Sequence, residues 1–427
     1  MQKRIIKILN KPFIRNVTLL VTGTAAAQSI ALLASPIITR LYGPEAFGVM
    51  GVFLSLVGIF APIASLTYPI AIVLPKDDRN AKKIIKLSIY ISLSLAFLVA
   101  LILLFFYIPV VELFQLREVS SYLFLIPLVI IFSGLNQVLE HWLIRTKQFR
   151  INAKVAFLQS FIINFSKMGI GFFNPVATVL VVLSAFANGI RAFMSMYLIK
   201  KTEYKPIEYS EGNLYSVKEI AKKYKDFPLF RAPEVFIHSV SQRFPILMLT
   251  IFFGPLSAGF YTLGNTVLQK PIQLVGKSVG DVFYPRISKA ANNREDLTNL
   301  IKKATLALVA IGIIPFGLII FFGPWIFGFI FGAEWITAGK YAQWIGIFLF
   351  CEFINRPSVM ALPVLSAQLF HLLFTGITMI VRITALMIGY YFFSSELVAI
   401  ALFGVFSAIL QIILFIMVLK RSGNFYN

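Results

Sequence analysis

The chain of 427 residues is 58% hydrophobic and 13% charged, with a mean hydropathy of +0.83; that is too little charge to cover a water-facing globule of this length. A formal net charge of +21 would suggest nucleic acid in a soluble protein, but the basic residues fall between long apolar runs, so the partner they imply is a lipid bilayer and not nucleic acid. The single cysteine, Cys351, excludes an intramolecular disulfide and reads as a small apolar residue.

A bilayer core about 30 Å thick takes about 20 apolar residues at a rise of about 1.5 Å each. By that ruler twelve spans are expected, near residues 16–39, 48–74, 84–109, 121–144, 153–172, 175–199, 228–253, 259–285, 301–323, 338–363, 367–393 and 395–419. The fold class expected is therefore an all-α polytopic membrane protein with two parallel six-helix bundles. Residues 1–199 form the first bundle, 200–226 a basic cytoplasmic linker and 227–427 the second bundle.

Loop charge orients the spans, because cytoplasmic loops collect Lys and Arg. Lys3, Arg4, Lys7, Lys11 and Arg15 precede the first span, and every second loop is basic after that, through Lys76 to Lys86, Arg145 to Arg150, Lys200 to Lys225, Arg286 to Lys303, and Lys420 with Arg421. Both termini are then cytoplasmic. The first apolar run is too long for a cleaved signal's core, so it reads as an uncleaved anchor. Trp142, Trp325, Trp335 and Trp344 fall near span ends, where interfacial aromatics belong.

Two short stretches say nearly the same thing. "LYGPEAFG" at Leu41 to Gly48 and "FFGPLSAG" at Phe252 to Gly259 put Gly43 and Gly254 an offset of 211 apart (254 minus 43), and each lies between two apolar runs. Tyr68-Pro69 and Tyr284-Pro285 repeat in the same order further on. A parallel internal repeat follows, with each Gly-Pro pair ending one helix and starting a turn. Pro36, Pro62, Pro69, Pro245, Pro271 and Pro357 lie inside expected spans and permit kinks.

Charges deep in spans face a partner or a watery cavity, because they cost several kcal/mol at the bilayer centre. The basic ones are Lys167, Arg191, Arg231, Arg243, Lys270, Lys277, Arg356 and Arg382; the acidic ones are Glu140, Glu234, Asp281 and Glu352. Helical spacing puts Arg231, Glu234, His238, Ser241 and Gln242 on one stripe of the seventh span, and Lys270, Gln273, Lys277 and Asp281 on one of the eighth. Glu352 with Arg356, and Lys277 with Asp281, are four apart and suited to simple pairing, while Glu140, Arg231 and Lys167 are placed to snorkel. The basic excess of two to one points to an anionic guest, and a planar guanidinium suits phosphate. There is no phosphate-binding GxxxxGK[ST] loop, no HExxH and no Cys-His cluster, so no catalytic residue, metal or cofactor is expected.

The stretches "ITRLYGPEAFGVMGVF", "RFPILMLTIFFGPLSAGFYTL" and "KPIQLVGKSVGDVFYPRISKA" resemble the polysaccharide, or O-antigen, flippases of the multidrug/oligosaccharidyl-lipid/polysaccharide (MOP) exporter superfamily. The resemblance implies a bacterial inner-membrane protein that moves an undecaprenyl-pyrophosphate-linked oligosaccharide to the periplasmic leaflet, coupled to an H+ or Na+ gradient. It also implies, as partners, a polysaccharide polymerase and a chain-length regulator. On the burial argument, Arg191, Arg243, Lys270, Lys277, Arg382, Lys167 and Arg356 would bind pyrophosphate or sugar. Glu234, His238, Asp281 and Glu352 would couple the ion, and Arg40 would stand at the periplasmic gate. A cation-coupled multidrug exporter, a membrane-embedded polymerase or glycosyltransferase, and a non-transporting scaffold stay open as alternatives.

Overall fold

The computed structural model describes residues 12–113, 117–202 and 214–425. With no water in the bilayer core, each backbone amide must be bonded within its own segment, and apolar runs become helices. Among the described residues there is no strand. In chain order the helices are α1 (Pro12–Phe60), α2 (Asp78–Leu113), α3 (Ile126–Arg145), α4 (Phe149–Phe173), α5 (Ala177–Lys200), a short α6 (Val217–Lys223) and α7 (Ala232–Phe253). They continue with α8 (Pro255–Asn292), α9 (Leu297–Phe331), α10 (Ile336–Ile354), a short α11 (Arg356–Ala361), α12 (Gln368–Tyr391) and α13 (Glu396–Gly423).

Nine stretches among the described residues are long and apolar enough to cross a membrane, and the first of them, Gly23–Ile63, is two helices broken at Gly43. Their outward faces are apolar: Phe105 is 72% exposed, Phe173 92%, Phe321 77% and Phe329 71%. Exposure on that scale belongs to a surface that meets lipid.

The helices form two compact units, Met1–Tyr42 with Val49–Phe244, and Gly43–Gly48 with Pro245–Asn427. In the first, α2 packs on α3, and α5 packs on both α3 and α4. In the second, α10 packs on α8, α9 and α13, and α12 packs on α13. The units divide inside α7 at Pro245, a residue that removes a backbone hydrogen bond. Residues 203–213 of that linker lie outside the described residues.

Both Gly-Pro turns take the same backbone form. Gly43 has φ 68° and ψ 172°, and Gly254 has φ 85° and ψ 174°; this region is open essentially to glycine alone. Each proline then enters a helix start, where a missing amide hydrogen costs nothing. Within the second unit, which includes residues 43–48, the two copies touch reciprocally. A Cβ on Gly48 would stand 1.8 Å from the Pro255 carbonyl oxygen, and one on Gly259 would stand 2.0 Å from the Pro44 carbonyl oxygen. The same 211-residue offset relates Pro44 to Pro255 and Gly48 to Gly259, so equivalent atoms meet. Beside them, Trp335 is 1% exposed and packs edge-on to Phe47 at 5.1 Å and Phe260 at 6.2 Å. It is a core residue there and not the interfacial anchor its position in the sequence suggests.

The second expected span is not one helix. α1 stops at Phe60, and the chain goes on through 3₁₀ turns at Ala61–Ile63 and Tyr68–Val73, with Leu66 and Thr67 left-handed between them at φ 46° and 59°. Pro62 and Pro69 each withhold an amide donor, whereas the counterpart helix α8 runs unbroken to Asn292. Side-chain donors reach the carbonyls of this irregular segment. Gln137 Nε2 donates to Ala61 O at 2.6 Å, and Arg145 Nη1 donates to Ile72 O at 3.0 Å and Pro75 O at 2.6 Å. Arg145 Nε also donates to Asp78 at 2.7 Å; the two side chains are 8% and 0% exposed.

The start of the second half of the chain docks on this segment. Thr67 donates to Phe227 O at 3.0 Å, and Tyr68 donates to Ala221 O at 3.1 Å. Ile220 of α6 is fully buried in a cluster with Tyr68, Ala71, Ile72, Ala81, Ile84 and Val138. A capping box starts α6: Glu219 N donates to Ser216 Oγ at 3.2 Å and Ser216 N donates to Glu219 Oε2 at 2.6 Å. The bond from the Ser216 amide holds the Glu219 carboxyl below its ordinary range.

Two outcomes follow. Gly43→Ala and Gly254→Ala should each lower stability by about 1–3 kcal/mol in thermal unfolding in detergent, while Gly376→Ala, inside α12 with nothing within 4 Å of its Cβ, leaves it level or raises it. In the same assay Arg145→Met should cost about 3–5 kcal/mol, because it strands the buried Asp78 carboxylate; Arg231→Met, which breaks an exposed pair with Glu234, should cost no more than about 1 kcal/mol.

Candidate functional site

The intramembrane charges sort by what answers them. In the first unit, Lys167 on α4 donates from Nζ to Ser184 Oγ of α5 at 2.9 Å and lies 3.9 Å from Met50 Sδ. Tyr42 fixes that turn by donating to the Lys167 carbonyl at 2.7 Å. Arg191 on α5 donates to Asn152 Oδ1 of α4 at 3.0 Å and stands 3.6 Å from Glu140 of α3. Neighbouring polar groups line the same helices: Ser160 donates to Ala27 O at 2.6 Å and Asn188 donates to Ser133 at 2.9 Å. Arg243, half-buried on α7, passes across Gly58 in the second helix of α1.

In the second unit, Arg382 is 7% exposed. Its Nε donates to Ser407 at 3.0 Å, and its guanidinium carbon lies 4.5 Å from the Phe348 ring and 5.4 Å from Phe403. That enclosure ties α12 to α10 and α13, with Nε committed to Ser407 and aromatic rings beside the guanidinium. Glu352 meets Arg356 at 3.4 Å, the i,i+4 pairing that the sequence spacing suits.

Lys270 differs from all of these. It is half-buried on α8 and has no hydrogen-bond or ion-pair partner among the described residues. An ammonium withdrawn from water with nothing to answer it is a standing invitation to an anion. The side chains of Lys277 and Asp281, on the next turns of α8, lie outside the described residues.

The ion-coupling set is only partly gathered. Glu234 and His238 are exposed on α7, and Glu234 is held by Arg231 at 2.8 Å, so that stripe carries a surface pair rather than an enclosed acid. Arg40 is exposed just before the first Gly-Pro turn. A carboxylate that the sequence reading passed over, Glu396 at the start of α13, accepts a hydrogen bond from Ser257 in the first turn of α8. Arg145, counted from the sequence as a loop charge, is the buried clamp described above. Neither has a local signal, because Ser257 and Glu396 are 139 residues apart and Arg145 and Asp78 are 67 apart. Among the described residues, no group of His, Cys, Asp and Glu gathers as a metal site would require.

Known proteins place this arrangement. The profile of the family described as "Polysaccharide biosynthesis protein" matches residues 37–340, more than half of the chain. The succinoglycan biosynthesis transport protein ExoT of Rhizobium meliloti (strain 1021) is 21% identical over 77% of this chain and 64% of its own length, so the chain spans less than two thirds of that relative. Among solved structures, an inward-facing multidrug resistance MATE family transporter of the MOP superfamily aligns with a TM-score of 0.74 at 14% identity, over 93% of this chain and 95% of its own. The lipid II flippase MurJ in an inward closed conformation aligns with a TM-score of 0.74 at 13% identity, over 96% of this chain and 91% of its own. The chain belongs to the polysaccharide biosynthesis protein family and carries the fold of the MOP transporter superfamily.

Proposed function

We propose that the protein is a flippase that carries undecaprenyl-pyrophosphate-linked repeat units of an O-antigen or capsule type from the cytoplasmic to the periplasmic leaflet of the bacterial inner membrane. It works by alternating access, drives transport with an H+ or Na+ gradient, keeps both termini in the cytoplasm and catalyses no bond making or breaking. Its cargo needs a cation for the pyrophosphate and neutral hydrogen-bonding groups for the sugar. The family match supports a place in polysaccharide biosynthesis. ExoT is a transport protein and MurJ a lipid II flippase, which favours a lipid-linked sugar as cargo.

The single observation that carries the reading is Lys270, a half-buried cation on α8 without a partner among the described residues. Arg243, Arg191 and Lys167 are the half-buried cations of the first unit assigned with it. The MATE-like fold equally suits a multidrug exporter, since the drug transporter and the lipid II flippase align with the same TM-score of 0.74. Lys270 supports the lipid-linked sugar over the drug: a cationic drug is repelled by an ammonium, and a pyrophosphate is attracted.

In a strain that depends on this protein for polysaccharide export, Lys270→Ala should reduce export by about tenfold or more, the worth of one charge-assisted hydrogen bond. Its melting temperature should stay level or rise, because an unanswered charge has been removed. Lys270→Arg should retain most of the activity. Full export by Lys270→Ala would remove the main support for a pyrophosphate cargo.

A further inference from the structure

Two arginines of the expected anion-binding set lie against glycines, and the two contacts differ in closeness. At Gly58, a Cβ would stand 2.6 Å from Nε, 3.0 Å from Cζ and 3.3 Å from Cδ of Arg243, and those are the three nearest heavy atoms beyond the helix's own backbone. At Gly276 on α8, a Cβ would stand 3.6 Å from Arg356 Nε, which is ordinary van der Waals distance. Gly58 and Arg243 both belong to the first unit.

The backbone gives no reason for glycine at position 58. Gly58 lies inside the helical run that ends at Phe60, and it is not among the glycines with positive φ, which are Gly43, Gly254 and Gly332. Glycine in a helix interior is less favourable than alanine. What the missing side chain provides is a passage for one guanidinium.

We infer that Gly58 is a positioning residue for Arg243: by carrying no side chain it lets the Nε–Cζ edge of the guanidinium run against the α1 backbone, and so sets the plane of the donor fork. This rests on the reading of Arg243 as a pyrophosphate ligand. The direction of the fork matters because two parallel N–H donors must meet two phosphate oxygens at once, and a rotated fork keeps its charge but loses one of the bonds. The atoms in the way of a Cβ are the far end of a flexible side chain. Gly58→Ala is therefore accommodated by swinging the guanidinium aside and leaves the helix packing in place.

The test uses the full chain in lipid nanodiscs, with undecaprenyl pyrophosphate as the binding probe. Gly58→Ala should weaken binding by about tenfold or more, with a melting temperature at or above that of the wild type. Arg243→Ala should weaken it similarly, and the double variant should bind no more weakly than Arg243→Ala alone, since the two changes act through one group. Gly276→Ala should bind as the wild type does. Where Arg243→Ala itself weakens binding, wild-type binding by Gly58→Ala or losses that multiply in the double variant would overturn the inference, as would a Gly58→Ala chain that fails to fold whether or not Arg243 is present. If Arg243→Ala binds normally, the pyrophosphate role fails, and the rate at which phenylglyoxal labels Arg243, read by mass spectrometry, decides the remainder. A rate changed by Gly58→Ala upholds the positioning role, and an unchanged rate refutes it.

Discussion

A polar group in the bilayer core has no water to fall back on, and that single constraint explains most of what this chain does with its charges and its irregular backbone. Where α1 unwinds after Phe60, carbonyls of the irregular segment accept from Gln137 and Arg145, and the Arg145 charge is answered by Asp78. Where Arg382 enters the second unit, Ser407 takes its Nε hydrogen and two phenylalanine rings lie beside its guanidinium. Glu352 answers Arg356 on the next turn. Each of these groups costs free energy to bring out of water, and each has a local answer. That regularity gives Lys270 its meaning, because on α8 a half-buried ammonium stands without one among the described residues.

The same constraint governs the turns. A helix that ends in or near the membrane leaves carbonyl and amide groups open, and a Gly-Pro turn limits the exposure by entering the next helix at once. Gly43 and Gly254 adopt nearly the same positive-φ, extended-ψ backbone, and Gly48 and Gly259 allow the two turns to meet with carbonyl oxygens where side chains would otherwise stand. The repeat in the sequence is thus also a repeat of contacts. It does not extend through the whole half: the first copy unwinds at Ala61–Val73 and receives α6, while the second copy stays helical to Asn292.

How much of this could be read beforehand depended on range. Helices followed from hydropathy, and the turn at Gly43 and Gly254 followed from the dipeptide, because both signals are local. The Glu352–Arg356 pair followed from a spacing of four on one helix. The clamp of Arg145 on Asp78, the enclosure of Arg382 and the burial of Trp335 were not legible, because each depends on a partner brought near only by packing. The sequence marks a charge as being inside the membrane without naming what answers it, so Arg382 and Lys270 look alike on paper and differ in the structure. Gly58 is the reverse case: an absent side chain has no signal until the guanidinium beside it is seen.

The central claim is that the protein carries an anionic lipid-linked sugar, and transport in a defined membrane tests it most directly. The purified chain, reconstituted in liposomes, would be offered a polyprenyl-pyrophosphate oligosaccharide and, separately, a cationic dye, each with and without a proton or sodium gradient. The account predicts that the lipid-linked sugar crosses to the opposite leaflet, faster with a gradient, and that the dye does not move. Movement of the dye with none of the lipid-linked sugar would contradict it.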